Sequence, residues 1–207
     1  MKSLLIWGTG DQGLVTLDTA IEMNHYDKID FLMIKERSNC KITGYQIYYE
    51  DEINLDALLD SYNEVIVATG DNQIREGKIT QVISRGVKLA TIIHPTAVIS
   101  RMAVVEEGTI ILPNAVINAE AHIGIGCIIN TGSIIEHGCK ICDYVNVSPN
   151  TAIAGNCIIG KKTWMGIGST VIHEITIGNN VVIGAGSVVI KDIPSNMTVV
   201  GTPAKSI

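Results

Sequence analysis

The chain has 207 residues, 46% of them hydrophobic, with a formal charge of −6 and a pI near 5.3. That is enough to bury a core in one large domain or two small ones. The acidic balance and the lack of a Lys/Arg run argue against a nucleic-acid partner, and no stretch of about 18 apolar residues offers a membrane span. The apolar run of MKSLLIWGTG breaks into glycine after Trp7, too short for the core of a secretory signal, so a cytoplasmic location is expected.

From the N-terminus, KSLLIWG reads as a short buried strand and LVTLDTAIEMN as a helix with apolar residues at helical spacing. DKIDFLMI is a second strand, INLDALLDSYN a second helix and EVIVATG a third strand. REGKITQVISRG is a third helix, stopped by Gly86, and VKLATII a further strand. Strands alternating with helices imply a parallel sheet with crossover helices, so residues 1–92 read as a Rossmann-like half domain. Gly8-x-Gly10-x-x-Gly13 falls between the first strand and first helix, where helix-start N–H groups can hold a phosphate. A dinucleotide site would also want an acidic residue at the end of the second strand. Met33 and Ile34 stand there instead, with Glu36 a little late, and the domain is about half a full dinucleotide fold. A diphosphate other than that of NAD suits this loop better.

From residue 93 to 207 the texture becomes a strict period of six. Ile93, Ile99, Val105, Ile111, Ile117, Ile123, Ile129, Ile135, Ile141 and their successors to Val189 are all aliphatic or Met, with no insertion. Four places after each stands a mostly small residue, such as Ala115, Cys127, Ser133 or Cys139. This is the signature of a hexapeptide β-helix. Three hexads form one triangular coil, and coils stack about 4.8 Å apart. The register turns His137, two places after Ile135, outward near a corner. The cysteines Cys40, Cys127, Cys139, Cys142 and Cys157 are odd in number, and three of them occupy the small inward position. They read as buried free thiols rather than a disulfide framework, a zinc site or a Cys139–Cys142 redox pair.

These blocks resemble the bacterial left-handed β-helix acetyltransferases that acylate amino sugars on a nucleotide carrier, and their relatives that O-acetylate sialic acid. The resemblance is carried in order by GTGDQG, VATGDNQIREGK, IIHPTAVIS, NTGSIIEHGCKICDYVNVSPNTAIAGN, the hexads and the ending VVGTPAK. It implies a homotrimer with acetyl-CoA lying between adjacent β-helices, no metal, and a place in bacterial surface-glycan biosynthesis. It makes His137 the general base and places Asn130 near the acceptor sugar. By the same resemblance Asn146, the backbone of Ile167 and Ala185, and Lys205 contact the cofactor, Lys205 near its phosphates. The substrate side falls to Gly8, Gly10, Asp11, Gly13, Asp71, Asn72 and Arg75; Asp71 or Asn72 also reads as a helix cap. Relatives carry an acidic residue where Gly138 stands and often a histidine where Asn146 stands.

The implied chemistry is coherent. An acetyl thioester is already activated, so the acceptor amine needs only to lose a proton as it attacks, which a neutral imidazole can take. No covalent enzyme intermediate is required. The expectation is N-acetylation of a UDP-type amino sugar. O-acetylation of a sialic-acid-type sugar, or a silent binding relative, are the alternatives. Of the other histidines, His94 before Pro95 reads as a turn, His122 as solvated, His25 as a loop or capping residue, and His173 as a candidate ligand contact in the later coils.

Overall fold

The computed structural model describes residues 1–34 and 42–207; Glu36 and Cys40 lie outside the described residues. The chain divides into two compact units, Met1–Pro95 and Thr96–Ile207.

The first unit is a parallel sheet with helices. β1 (Ser3–Trp7), α1 (Asp11–Glu22), β2 (Lys28–Met33), β3 (Ile47–Tyr49), α2 (Leu55–Asp60), β4 (Glu64–Val67) and α3 (Asn72–Ser84) follow in order. The sheet order is β3-β2-β1-β4, with Ile6 opposite both Phe31 and Ile66. Leu4, Leu5, Ile6, Phe31, Leu32, Val65, Ile66 and Val67 are fully buried, as expected for strands covered on both faces. α1 buries Gly13, Thr16, Leu17 and Ala20, a stripe at helical spacing. It begins earlier than the apolar pattern alone suggested, because polar Asp11 and Gln12 already form its first turn. α3 is capped by Asp71, whose carboxylate accepts from the N–H groups of Gln73 and Ile74 at 2.9 Å each, and Gly86 follows its end at φ +69°. Two features differ from the sequence reading. β3 is a three-residue strand too short to show a pattern. The run expected as a strand over 87–93 reduces to a parallel bridge from Leu89 to Val65 and a short strand at Ile92–Ile93.

The second unit is a left-handed parallel β-helix with three flat sides. The first side stacks the strands Ile110–Ile111, Ile128–Ile129, Asn146–Val147, Trp164–Met165, Val182–Ile183 and Thr198–Val200. The second stacks Val98–Ile99, Val116–Ile117, Ile134–Ile135, Ala152–Ile153, Thr170–Val171 and Val188–Val189. The third stacks Val104–Val105, His122–Ile123, Lys140–Ile141, Ile158–Ile159 and Thr176–Ile177. Pairs such as Ile128 and Asn146 face each other in register, so one coil is three hexads and residues one coil apart stack directly.

Every inward aliphatic residue from Ile117 to Val189 is at most 1% exposed. Burying each such side chain favours the fold by roughly 1.5–3 kcal/mol. At the corners, Gly132, Gly138, Asn150, Asn156, Gly168, Asn180 and Gly186 adopt the left-handed conformation, φ between 54° and 66°, each three places after an inward aliphatic residue. Glycine and asparagine tolerate this best, hence their recurrence at the corners. The small inward positions have their own logic. Thr109 donates its hydroxyl to the Gly124 carbonyl at 2.9 Å, and Thr163 to that of Gly178 at 2.8 Å. The thiols of Cys127, Cys139 and Cys157 make the same kind of contact at 3.1 Å with the carbonyls of Cys142, Ala154 and Ile172. They are free, buried thiols that substitute for threonine in a repeating contact.

Candidate active site

In the first unit, a cleft of about 250 Å³ opens at the C-terminal ends of the strands. It is lined by Gly8 to Gln12, the ends of β2 and β4, and Trp7, Glu50 and Lys78. In an open parallel sheet this is where ligands bind. The three glycines differ in purpose. Gly8, at φ +137°, passes so close to β4 that a Cβ would lie 2.3 Å from the Ala68 carbonyl oxygen. A Cβ on Gly13 would lie 2.2 Å from the Gly8 carbonyl oxygen, so this glycine lets α1 pack on the loop. Gly10 crowds nothing; it caps α1 without a side-chain hydrogen bond, so the positive end of the helix faces the cleft that Gly10 and Asp11 line.

Arg75 corrects one expectation. It is 0% exposed, and its guanidinium donates to the carbonyls of Thr69 (2.8 Å) and Gly70 (3.1 Å) and to the Asn72 side chain (2.7 Å). It shapes the cleft-lining loop from beneath and cannot touch a ligand. Asn72 is likewise buried and tied to Arg75, while Asp71 is exposed but engaged as the α3 cap. Sequence reasoning passed over Trp7, Glu50 and Lys78, which line the cleft and contact one another. No motif marks them, since they come from three separate elements.

In the second unit, His137 is exposed on the edge between the second and third sides. One coil further on, the same place is held by Gly155. A Cβ there would lie 2.6 Å from Cε1 and 2.7 Å from Nε2 of the imidazole, so the ring rests on the Gly155 backbone in space only glycine leaves open. His173 follows on the same edge one coil beyond. Glu136 does not steady the ring: among the described residues its carboxylate accepts only from the His137 backbone N–H, at 3.4 Å. Gly138 is the left-handed corner residue (φ +66°), and a Cβ there would meet the Asn156 side chain at 2.3 Å. Here Asn156 occupies the room a larger residue at 138 would need.

Asn130, Ile167 and Ala185 stand together on a different edge, between the first and second sides. Asn130 is bound locally, its side-chain oxygen accepting from the Thr131 N–H at 2.9 Å. Ile167 and Ala185 are exposed, and among the described residues no protein acceptor takes their backbone N–H groups. On the remaining edge, the N–H groups of Ile125 and Lys161 are taken by Asp143 and Asn179 from the next coil. His137 on the one hand, and Asn130, Ile167 and Ala185 on the other, therefore occupy two different edges of the prism, and one chain does not bring them together. Both edges flank the second side, whose outward residues are Val98, Val116, Ile134, Ala152, Thr170 and Val188; Val98 is 63% and Ile134 39% exposed.

Asn146 lies on the first side, 4% exposed, and is not gathered with His137. Lys205 is exposed where the last strand turns back, pairing with Val200 beyond the final hexad. His122 is exposed on the third side, 3.5 Å from Glu106, and His25 lies in the first unit against Lys2 and Tyr26.

The PglD N-terminal domain family matches residues 3–82, and the bacterial transferase hexapeptide (six repeats) family matches residues 156–191. No curated protein matches the chain significantly. Among solved structures, a mutant of perosamine N-acetyltransferase from Caulobacter crescentus, in complex with CoA and GDP-perosamine, is similar over the whole chain. It has a TM-score of 0.93 and 28% identity, and 97% of it is covered. The acetyltransferase domain of PglB from Neisseria gonorrhoeae, in complex with acetyl coenzyme A, has a TM-score of 0.90 and 31% identity over 100% of this chain and 99% of that one. WeeI from Acinetobacter baumannii shares the fold at 22% identity with a TM-score of 0.89. With the hexad solenoid, the glycine loop and this end-to-end similarity, the chain belongs to the hexapeptide-repeat nucleotide-sugar acetyltransferases that carry a PglD-type N-terminal domain.

Proposed function

We propose that this acetyltransferase moves the acetyl group of acetyl-CoA onto the amine of a sugar carried on a nucleoside diphosphate, with His137 as general base. The amine nitrogen attacks the thioester carbonyl, the imidazole takes the proton the nitrogen sheds and passes it to the leaving sulfur as the C–S bond breaks, so coenzyme A departs as the thiol and the imidazole is neutral again. Holding amine and thioester in register provides the larger share of the rate. The first unit holds the nucleotide, its diphosphate at the N-terminus of α1 through the Gly10 loop and Asp11. The pantetheine arm runs along the solenoid edge that offers the Ile167 and Ala185 N–H groups, with Lys205 toward the phosphates.

The enzyme works as a homotrimer in the cytoplasm. The apolar second side packs against a neighbouring copy, so that His137 of one copy meets the Ile167–Ala185 edge of the next. A flat apolar stripe of this kind marks an interface. The observation that carries the reading is the seat of His137: an exposed imidazole, with no side-chain hydrogen bond among the described residues, resting on Gly155 on an edge of that stripe. The GDP-perosamine and CoA bound by the Caulobacter enzyme support the choice of acceptor class.

The test is thiol release from acetyl-CoA against UDP- and GDP-linked amino sugars, with sialic acids as hydroxyl acceptors. Turnover is expected with a nucleotide-linked amine. His137→Ala should abolish it while coenzyme A still binds. Unchanged turnover in that variant would remove the catalytic assignment, and turnover only with sialic acids would replace N- by O-transfer.

A further inference from the structure

β2 ends in Leu32 and Met33, followed by Ile34, and none of these is an acid. An acid stands instead just after the neighbouring strand. Glu50 directly follows β3, and its backbone N–H donates to the Met33 carbonyl at 2.9 Å, which fastens it beside the end of β2. One carboxylate oxygen, Oε1, accepts from Trp7 Nε1 at 2.6 Å and from Lys78 Nζ at 2.7 Å. The Lys78 ammonium also sits 4.0 Å from the centre of the Trp7 ring. Trp7 is 1% exposed, so the indole is a fixed donor. Two donors from two rigid elements, β1 and α3, thus hold a single oxygen. Among the described residues Oε2 has no hydrogen-bond partner, and Glu50 lines the cleft.

The Glu50 carboxylate is only partly withdrawn from water, its side chain 22% exposed, and its charge still needs a counterpart beside a diphosphate. Lys78 balances it. That balance also matters to a ligand, because an unpaired Glu50 would repel the diphosphate bound at the loop. In the sheet order β3-β2-β1-β4, phosphates at the β1–α1 loop and a carboxylate at the end of β3 are two strands apart, about 10 Å. A nucleoside diphosphate can span such a gap between its phosphates and its ribose hydroxyls. An oxygen with no hydrogen of its own, fixed in place, is a reader of hydroxyl donors.

We propose that Glu50 reads the ribose of the nucleotide carrier, accepting hydrogen bonds from its 2′- and 3′-hydroxyls, so that ribonucleoside diphosphates are preferred over their 2′-deoxy counterparts. This rests on the reading of the cleft as a nucleotide site. Lys78 and Trp7 are positioning residues for the carboxylate and do not themselves touch the sugar.

The experiment is calorimetric binding of UDP, GDP, dUDP and dGDP to the wild-type protein and to Glu50→Gln, with coenzyme A as a control. Wild type should bind the better ribonucleotide about tenfold or more tightly than its deoxy form, the effect of one hydrogen bond to a charged acceptor. In Glu50→Gln that ratio should collapse to within about twofold while coenzyme A affinity is unchanged. Equal affinity of wild type for ribo- and deoxynucleotides would overturn the inference without any variant, whatever the variant's stability. A ratio preserved in Glu50→Gln would reduce Glu50 to a support for Lys78. Wild type that binds none of the four would overturn both the inference and the nucleotide reading of the cleft.

Discussion

Replacing Gly155 with alanine should cost about two powers of ten in kcat and leave the protein folded. The new methyl carbon would stand 2.6 Å from Cε1 and 2.7 Å from Nε2 of His137. Non-bonded carbon contacts settle at about 3.5–4.0 Å, so the ring must withdraw by about 1 Å. A displacement of that size in a positioned catalytic group costs about 10²-fold, or about 2.7 kcal/mol of barrier. The backbone should not object, because Gly155 is not among the residues with positive φ. His137 is exposed and can swing aside, so the melting temperature should stay the same or rise slightly. Steady-state thiol release, coenzyme A affinity and a thermal melt separate the three effects. The double variant with His137→Ala should be no slower than His137→Ala alone, because Gly155 acts through the ring. A Gly155→Ala enzyme with wild-type kcat would show that the ring's seat over Gly155 is not its working position.

Ile134→Asp puts a charge in the middle of the apolar second side and should yield folded monomers without transferase activity; light scattering and thiol release check this together, and an active trimer would refute the interface. A third prediction concerns acid stability. Burial pushes the Glu64 carboxyl up, but hydrogen bonds from Lys88, Tyr26 and Lys2 outweigh it and hold the group below its usual 4.5. A depressed carboxyl stabilises the fold above about pH 4.5 and loses that contribution as the pH falls below it. The melting temperature of wild type should therefore exceed that of Glu64→Gln at neutral pH, with the gap closing as the pH drops below 4.5; a constant gap would contradict the assignment.

The solenoid was legible because it is a local rule repeated without interruption: an aliphatic residue every sixth place, a small one four later, and each buried where the count puts it. The outward turn of His137 followed from the same count. What the hexad alone did not reveal is which edge each residue occupies. That depends on the coil of three hexads, and it separates His137 from Ile167 and Ala185. The first unit was readable as far as hydrophobic periodicity reached. β3 was too short for a pattern, and with it went Glu50. Arg75 misled because its place in VATGDNQIREGK matches the family's substrate-side loop, whereas its burial against the Thr69 and Gly70 carbonyls is a tertiary fact.

The seam between copies is tested most directly by subunit mixing. His137→Ala removes the base from one edge, and Ala185→Trp blocks the other; each variant alone should be inactive. Trimers reassembled from equal amounts of the two should recover about a quarter of wild-type activity, because a site needs an intact His137 from one copy and an intact Ala185 edge from its neighbour. A mixture as inactive as its components would place both residues in the same copy's site and contradict the account.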